Sequence, residues 1–249
     1  MNKTTQILTV LIALAILLPA GSAYGTAINS AQSGNWTDTN TWSGGVVPTN
    51  TNDVTITNNC TVTITDVTTH YVKSLTIQTN AVLTHGNNST DEDYKVILNV
   101  ASNLTLDLGG EIDVDTLGYD KGTGPGAGTS DGGGAYGGRG GTYGGVSTRP
   151  GMPYGSVTAP TRLGSGGGNT GGGAGGGAIV LNVGGVTTNN GHISANGGTS
   201  AGYDGAGAGG AIYITTGVLE GNGTIRADGG STAGSKDGGG GGAVASRLW

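Results

Sequence analysis

The densest run of glycine in this chain limits what it can fold into more than any other feature. Residues 118–178 contain 26 glycines in 61 positions. Glycine has no side chain to bury, and it loses more conformational freedom on folding than any other residue. Three alternatives follow for this segment: a flexible insertion, a tight wrap against neighbouring strands, or extended chains lying side by side. Its tyrosines would hold it in place through their rings and hydroxyls; they are Tyr119, Tyr136, Tyr143 and Tyr154.

Composition excludes several classes of protein. Glycine supplies 55 of the 249 residues and only 10% are charged, so the chain lacks the Leu-, Glu- and Lys-rich runs of a helical bundle. The glycines do not recur at every third position, as collagen requires. Ten basic and sixteen acidic residues give a net charge of −6, which argues against a nucleic-acid partner. Cys60 is the only cysteine, so a disulfide scaffold is not expected.

Residues 1–25 have the pattern of a secretory signal peptide. Lys3 gives a positive start, an apolar run covers residues 7–18, and small residues follow Pro19. The apolar run is about 12 residues long, shorter than the ~20 that a membrane span needs. We expect an extracellular or cell-surface protein, with an uncleaved anchor as the alternative. No later stretch predicts a membrane span.

Residues 53–116 alternate apolar and polar residues with a period of two. The runs DVTIT at 53–57, TVTIT at 61–65 and SLTI at 74–77 are examples. Such alternation predicts strands with one buried and one exposed face. Each run carries only two or three apolar residues, too few for a core, so the sequence predicts many short strands that stack on one another.

A repeat of about 32 residues is visible in the last third of the chain. GGAIVL at 176–181 recurs as GGAIYI at 209–214, and GHISANGG at 191–198 recurs as GTIRADGG at 223–230. A third copy begins with GGAV at 241–244 and stops soon afterwards, which leaves a truncated product or a natural end that docks on a partner as alternatives. The expected organisation is a cap segment at 26–52, solenoid strands at 53–117, a glycine-rich insertion at 118–177 and solenoid repeats at 178–249.

Several stretches of the chain resemble a known group of proteins. They are SGNWTDTNTWSGGVVPTNTNDVTI at 33–56, GYDKGTGPGAG at 118–128, GGGAYGGRGG at 132–141, YGS at 154–156 and LGSGGG at 163–168. Together they are similar to secreted, glycine-rich, adhesin-like surface proteins with the shape of the pectate-lyase-like superfamily. The likeness covers about residues 33–245. With the strand pattern, it implies an all-β fold, a right-handed parallel β-helix (solenoid) with a glycine-rich insertion, and it carries over no catalytic motif.

Two pairs of residues are candidates for binding. Asp113 and Asp115 alternate with Val114 and share one strand face, where carboxylates would bind Ca²⁺, act as an acid and base on a glycan, or simply face solvent. Trp36 and Trp42 precede the first strands and would either stack on sugar rings or plug the open end of the core.

These observations predict a secreted or cell-surface structural or adhesive protein that contacts extracellular polysaccharide without catalysis. The alternative is a calcium-dependent polysaccharide lyase or a glycoside hydrolase, with Asp113 and Asp115 in its site. Calcium is the one cofactor that the acidic pair suggests.

Overall fold

The computed structural model describes residues 26–142, 149–168, 170–202 and 204–232, and the backbone of 245–248. The predicted signal peptide lies outside these residues. Two short 3-10 turns, Thr39–Thr41 and Ser43–Gly45, follow the second strand. The strands are β1 (Ala27–Asn29), β2 (Gly34–Asn35), β3 (Asp53–Ile56), β4 (Thr61–Ile64), β5 (His70–Val72), β6 (Ser74–Ile77), β7 (Val82–His85), β8 (Val96–Val100), β9 (Leu104–Leu106), β10 (Glu111–Asp113), β11 (Ala178–Asn189), β12 (His192–Ser194), β13 (Ala211–Glu220), β14 (Thr224–Arg226) and β15 (Ala245–Leu248).

The described strands form two sheets whose strand pairs run parallel. The larger sheet has nine strands in the order β1-β3-β6-β9-β11-β13-β15, and β5 and β8 lie beside this path because β8 pairs with both β5 and β11. The smaller sheet has six strands in the order β14-β12-β10-β7-β4-β2. Successive strands therefore alternate between sheets along much of the chain, which puts the two sheets around one core.

The period-two sequences place one apolar face of each sheet in that core. In β3, Val54 and Ile56 are buried while Asp53 and Thr55 are partly exposed, and β4 and β6 repeat this pattern. Each fully buried aliphatic side chain contributes about 1.5–3 kcal/mol relative to an exposed one. Side chains of both sheets join in one cluster, which includes Ile56, Leu75 and Leu106 of the larger sheet and Ile64, Leu83 and Ile112 of the smaller.

Copies of the 32-residue repeat are direct neighbours in the sheets. Ala178 of β11 pairs with Ala211 of β13, and Tyr213 of β13 pairs with Ala245 of β15. In the smaller sheet, Ile193 of β12 pairs with Ile225 of β14. Equal positions of successive copies thus lie side by side, and between the first two copies the paired side chains are of the same type, alanine beside alanine and isoleucine beside isoleucine.

The glycine-rich stretches form a second packed region, which we call the glycine core (residues 118–135, 163–168, 170–177, 195–198 and 205–210). Residues 174–176 illustrate it, because they bond to four separate stretches of backbone. Gly118 and Gly198 donate to the carbonyl oxygens of Gly175 and Ala174, both at 2.7 Å. Gly164 donates to Gly176 at 2.8 Å, and Gly176 donates to Ala208 at 2.9 Å. A strand within a sheet has bonded neighbours on two sides only, so this packing needs backbones that approach from more directions.

The absence of side chains makes this approach feasible. A Cβ on Gly176 would overlap the carbonyl oxygen of Ala195 and come within 2.6 Å of the Gly210 nitrogen. Tyr119 and Tyr136 are buried against Leu163 and Ala208, and Tyr154 packs on this cluster. These three tyrosines thus supply apolar contacts that the glycines lack, and Tyr143 lies outside the described residues.

The predicted right-handed parallel β-helix with a glycine-rich insertion is wrong. The larger sheet is not a regular stack, since the pairs Asp53–Ser74, Leu75–Leu104 and Leu104–Thr187 are separated by 21, 29 and 83 positions. In addition, β11 pairs with β8 along its first half and with β9 along its second. The cause is that only the last third of the sequence has a single repeat length.

The glycine-rich segment is also not an insertion. Gly177 donates to the carbonyl oxygen of Val114 at 2.8 Å, and Ala211 donates to Gly177 at 3.0 Å, so the segment is bonded directly to residues that follow β10 and begin β13. Buried backbone groups need hydrogen-bond partners, and here the glycine-rich stretches supply them to one another and to the strands.

Candidate binding groove on the six-stranded sheet

The outer face of β10, β12 and β14 carries a groove of about 360 Å³. Glu111, His192 and Thr224 are paired across the three strands, and so are Asp113, Ser194 and Arg226. Ile112 and Ile193 lie between these two rows and point into the core. This alternation leaves only polar side chains on the outer face. The groove is lined by Glu111, Asp113, Asp115, His192, Ser194, Asn196, Thr224 and Arg226.

Asp115, Asn196 and Asp228 form a third row just beyond the strands. The Asn196 backbone nitrogen donates to Oδ1 of Asp115 at 2.6 Å, and its side-chain Nδ2 donates to Oδ2 at 2.8 Å. Oδ1 of Asn196 in turn accepts from the Asp228 backbone nitrogen at 2.8 Å. The neutral amide separates two carboxylates and bonds to both residues, so this row is fixed in place.

Asp113 lies half-buried beside this row. Its Oδ1 accepts from the Asp115 backbone nitrogen at 2.8 Å and from Ser194 Oγ at 3.3 Å. Burial raises the pKa of the Asp113 carboxyl, and the negative charge of Asp115 adds to the increase. Asp113 therefore takes up a proton more readily than an ordinary aspartate.

The rim of the groove, formed by His192, Thr224 and Arg226, is more exposed than Asp113. His192 Nδ1 and Thr224 Oγ1 are 2.7 Å apart. Arg226 forms an ion pair with Asp228, in which Nε and Nη2 of the guanidinium are both 2.7 Å from Oδ2. Arg226 is the one guanidinium among the groove residues, against the carboxylates of Glu111, Asp113 and Asp115. The groove as a whole is acidic and rich in hydrogen-bonding groups.

The predicted pair of calcium ligands, Asp113 and Asp115, does lie on one face, but the donor set does not fit Ca²⁺. Both oxygens of Asp115 already accept hydrogen bonds from Asn196, and Oδ1 of Asp113 accepts two more. Calcium needs six to eight oxygen ligands. Among the described residues, no group of three or more His, Cys, Asp or Glu side chains is placed to hold a metal ion.

The predicted glycan contacts, Trp36 and Trp42, require a correction. They are 1% and 2% exposed and belong to the hydrophobic core, so neither ring offers a face to a sugar. Their ring centroids are 5.1 Å apart in an edge-to-face arrangement, and Trp42 Nε1 donates to the carbonyl oxygen of Trp36 at 2.7 Å. The alternative role of an apolar plug near the first strands agrees with this burial. The hydrogen bond from Trp42 supplies the partner that a buried indole N–H needs.

Sequence reasoning missed a cluster around Glu92. Lys95 Nζ donates to its Oε2 at 2.6 Å, Arg162 Nε to its Oε1 at 2.5 Å, and Tyr119 OH to its Oε1 at 3.1 Å. Burial alone would raise the pKa of Glu92, but the hydrogen bonds from Lys95 and Arg162 outweigh it and hold the pKa below its usual value. The run Asp91-Glu92-Asp93 looks like a solvated loop tip in the sequence, and nothing local reveals a partner 70 positions away.

No family model matches the chain, and neither a curated protein nor a solved structure shows significant similarity to it. The described residues include no helix that is both long enough and apolar enough to cross a membrane.

Proposed function

We propose that the protein is a secreted or cell-surface structural or adhesive protein that contacts neutral polysaccharide through the groove on its six-stranded sheet, without catalysis. The observation that carries this proposal is the two rows of paired polar side chains on β10, β12 and β14, together with the hydrogen-bonded row just beyond these strands. Sugar hydroxyls both donate and accept hydrogen bonds, and the groove offers carboxylates, an amide, hydroxyls and a guanidinium within one concave surface.

The fixed geometry of the groove supports binding. Asn196 is held by Asp115 on one side and by Asp228 on the other, so little conformational freedom is lost when a ligand bonds to this row. The excess of carboxylates repels acidic polysaccharides, because like charges brought together without partners are unfavourable. Neutral chains are therefore the expected ligands.

Retention of the purified chain on immobilised glucan, xylan, mannan and polygalacturonate tests the proposal. We expect retention on at least one neutral polymer and none on the acidic one. The double variant Glu111→Ala/Arg226→Ala should weaken retention at least tenfold, because both side chains line the groove. Asp93→Ala/Lys121→Ala removes the same charges elsewhere and should leave retention unchanged. Equal retention of both double variants would exclude the groove as the contact surface.

A glycoside hydrolase is the second candidate, and the raised pKa of Asp113 favours it. Glycosidases use one protonated and one ionised carboxyl group across the scissile bond, and Asp113 and Asp115 lie side by side in the groove. Release of reducing ends from the same neutral polymers distinguishes the two functions. Under the structural proposal, neither the native chain nor Asp113→Asn releases them. Release that Asp113→Asn abolishes would establish the enzyme instead.

A further inference from the structure

A second concave feature lies where the residues before β3 meet β5. In the described part of the chain β5 pairs only with β8, so it lies at the side of the larger sheet. The pocket has a volume of about 340 Å³ and is open to solvent. Its lining consists of Pro48, Thr49, Asn50, Thr69, His70 and Tyr71.

Tyr71 gives this pocket its chemical character. The residue is 52% exposed, although it lies in a strand between the partly buried His70 and the buried Val72. One exposed aromatic residue on a surface is ordinary. Here the ring borders a cavity whose other side chains are a proline, hydroxyls, an amide and an imidazole, with no Lys, Arg, Asp or Glu. An apolar ring face flanked by neutral hydrogen-bonding groups suits an uncharged sugar, which has an apolar C–H face and polar edges.

Two residues that line the pocket, His70 and Thr49, are held in place by contacts with residues outside it. His70 Nε2 is 3.1 Å from Asp66 Oδ1, and the His70 ring lies 5.3 Å from the ring of the buried Trp36. On the other wall, the backbone nitrogen and Oγ1 of Thr49 donate to Asn52 Oδ1 at 2.7 and 2.8 Å. A preformed pocket loses little conformational entropy when a ligand enters.

A row of side chains leads from the pocket across the larger sheet. Tyr71 pairs with Asn99 of β8, Asn99 pairs with Asn182 of β11, and Asn182 pairs with Thr215 of β13. All four are exposed or partly exposed. Neighbouring strands lie about 4.8 Å apart, a spacing close to the length of one sugar ring. A linear saccharide lying across these strands would meet an amide or hydroxyl at each step.

We propose that this pocket is a subsite for one uncharged sugar residue of a linear saccharide, stacked on the Tyr71 ring, with the chain continuing over Asn99 and Asn182. The inference rests on the proposed function, because it concerns the same class of ligand. It uses a different surface, since Tyr71 belongs to the larger sheet and the groove to the smaller.

Calorimetric titration of the full chain with hexasaccharides of β-1,4-linked glucose, xylose and mannose tests this subsite. Tyr71→Ala should lower the affinity for the bound hexasaccharide at least tenfold, because it removes the stacking face. Tyr71→Phe keeps the ring and should stay within about threefold of the native affinity. Leu108→Ala removes another exposed apolar side chain, 78% exposed, and should have no effect.

The groove variant Glu111→Ala/Arg226→Ala separates the outcomes. A loss with Tyr71→Ala but not with the groove variant supports the subsite and contradicts the groove. A loss with both supports both surfaces. A loss with the groove variant alone overturns the subsite and leaves the proposed function standing. No binding of any of the three hexasaccharides by the native chain overturns the subsite, and retention of that chain on immobilised polymer then decides the proposed function separately.

Discussion

The backbone nitrogen of Ala178 donates a hydrogen bond to Nε2 of His85 at 3.2 Å, and Nδ1 of the same ring donates to the carbonyl oxygen of Gly86 at 2.7 Å. The ring is 2% exposed and joins the end of β7 to the start of β11. Because Nε2 accepts here, the bond requires the neutral imidazole. Burial lowers the pKa of His85 to about 4.

The His85 contact predicts a loss of stability in mild acid. The unfolded chain takes up the proton near pH 6.5, whereas the folded ring stays neutral until about pH 4. The stabilisation is therefore complete above pH 6.5 and is lost as the pH falls from 6.5 to 4, by about 3 kcal/mol. Urea unfolding at pH 7, 6, 5 and 4 measures this change.

Carboxyl groups also titrate in this pH range, so a variant without the His85 imidazole is needed to isolate its contribution to stability. His85→Gln keeps a donor and an acceptor but does not titrate. Between pH 6.5 and pH 4, the free energy of unfolding of this variant should therefore fall by about 3 kcal/mol less than that of the native chain. The exposed His192 serves as the control, and His192→Gln should follow the native curve. A native-like curve for His85→Gln would contradict the assignment.

The glycine core predicts an unusual sensitivity to a single methyl group. Gly176→Ala places a Cβ against the Ala195 carbonyl and the Gly210 nitrogen, and should cost more than about 2 kcal/mol or prevent folding. At Gly198 the nearest atom would be 3.1 Å away, so Gly198→Ala should cost less. Gly217→Ala, in β13 with its nearest atom at 3.2 Å and open to solvent, should stay within about 0.5 kcal/mol. Thermal unfolding followed by circular dichroism gives the order, and equal losses at all three sites would exclude close backbone packing as the cause.

Glu92 should control how firmly the glycine-rich segment is held. Glu92→Gln removes the charge that pairs with Lys95 and Arg162, and because Arg162 is half exposed we expect a moderate loss of about 1–3 kcal/mol. Hydrogen exchange should then rise in residues 118–142 and 149–168 before it rises in β3–β7. Asp93→Asn changes a neighbouring exposed carboxylate and should leave exchange unaltered. A uniform rise across the chain would show that Glu92 does not act locally.

Trp42 should matter for stability and not for binding. Trp42→Phe leaves a ring in the core but removes the N–H that bonds to the Trp36 carbonyl oxygen, which should cost about 1–3 kcal/mol. Polysaccharide retention, measured where the variant is fully folded, should equal that of the native chain. A selective loss of retention at unchanged stability would restore the role of Trp42 as a glycan contact.

Strand positions were the part of the fold that the sequence predicted well. The alternation at 53–57 and 61–65 corresponds to β3 and β4, because each inward position is a β-branched aliphatic residue with a polar neighbour. The repeat in the last third places Ala178 opposite Ala211 for a similar reason, since a side chain that fits one copy fits its neighbour.

Contacts between distant and dissimilar stretches could not be predicted. His85 bonds to a residue 93 positions later and Glu92 to one 70 positions later, and no periodic pattern links those places. The glycine-rich segment gives no periodic signal either, because its contacts are hydrogen bonds between backbone groups, which every residue carries. For the candidate sites, the shared face of Asp113 and Asp115 followed from alternation, whereas the roles of Asn196, Arg226 and Tyr71 depended on pairings between strands.

The glycine core also has a consequence for the gene. Every glycine codon begins with GG, and any change in either of these two bases replaces the residue. At a position such as Gly176, where even a methyl group has no room, only changes of the third base leave the fold intact. The aliphatic core tolerates exchanges such as Val for Ile far better. In this protein the glycines whose Cβ would overlap a neighbouring backbone, such as Gly176, should therefore be the positions least open to replacement, and a deep substitution scan should show its sharpest depletion there.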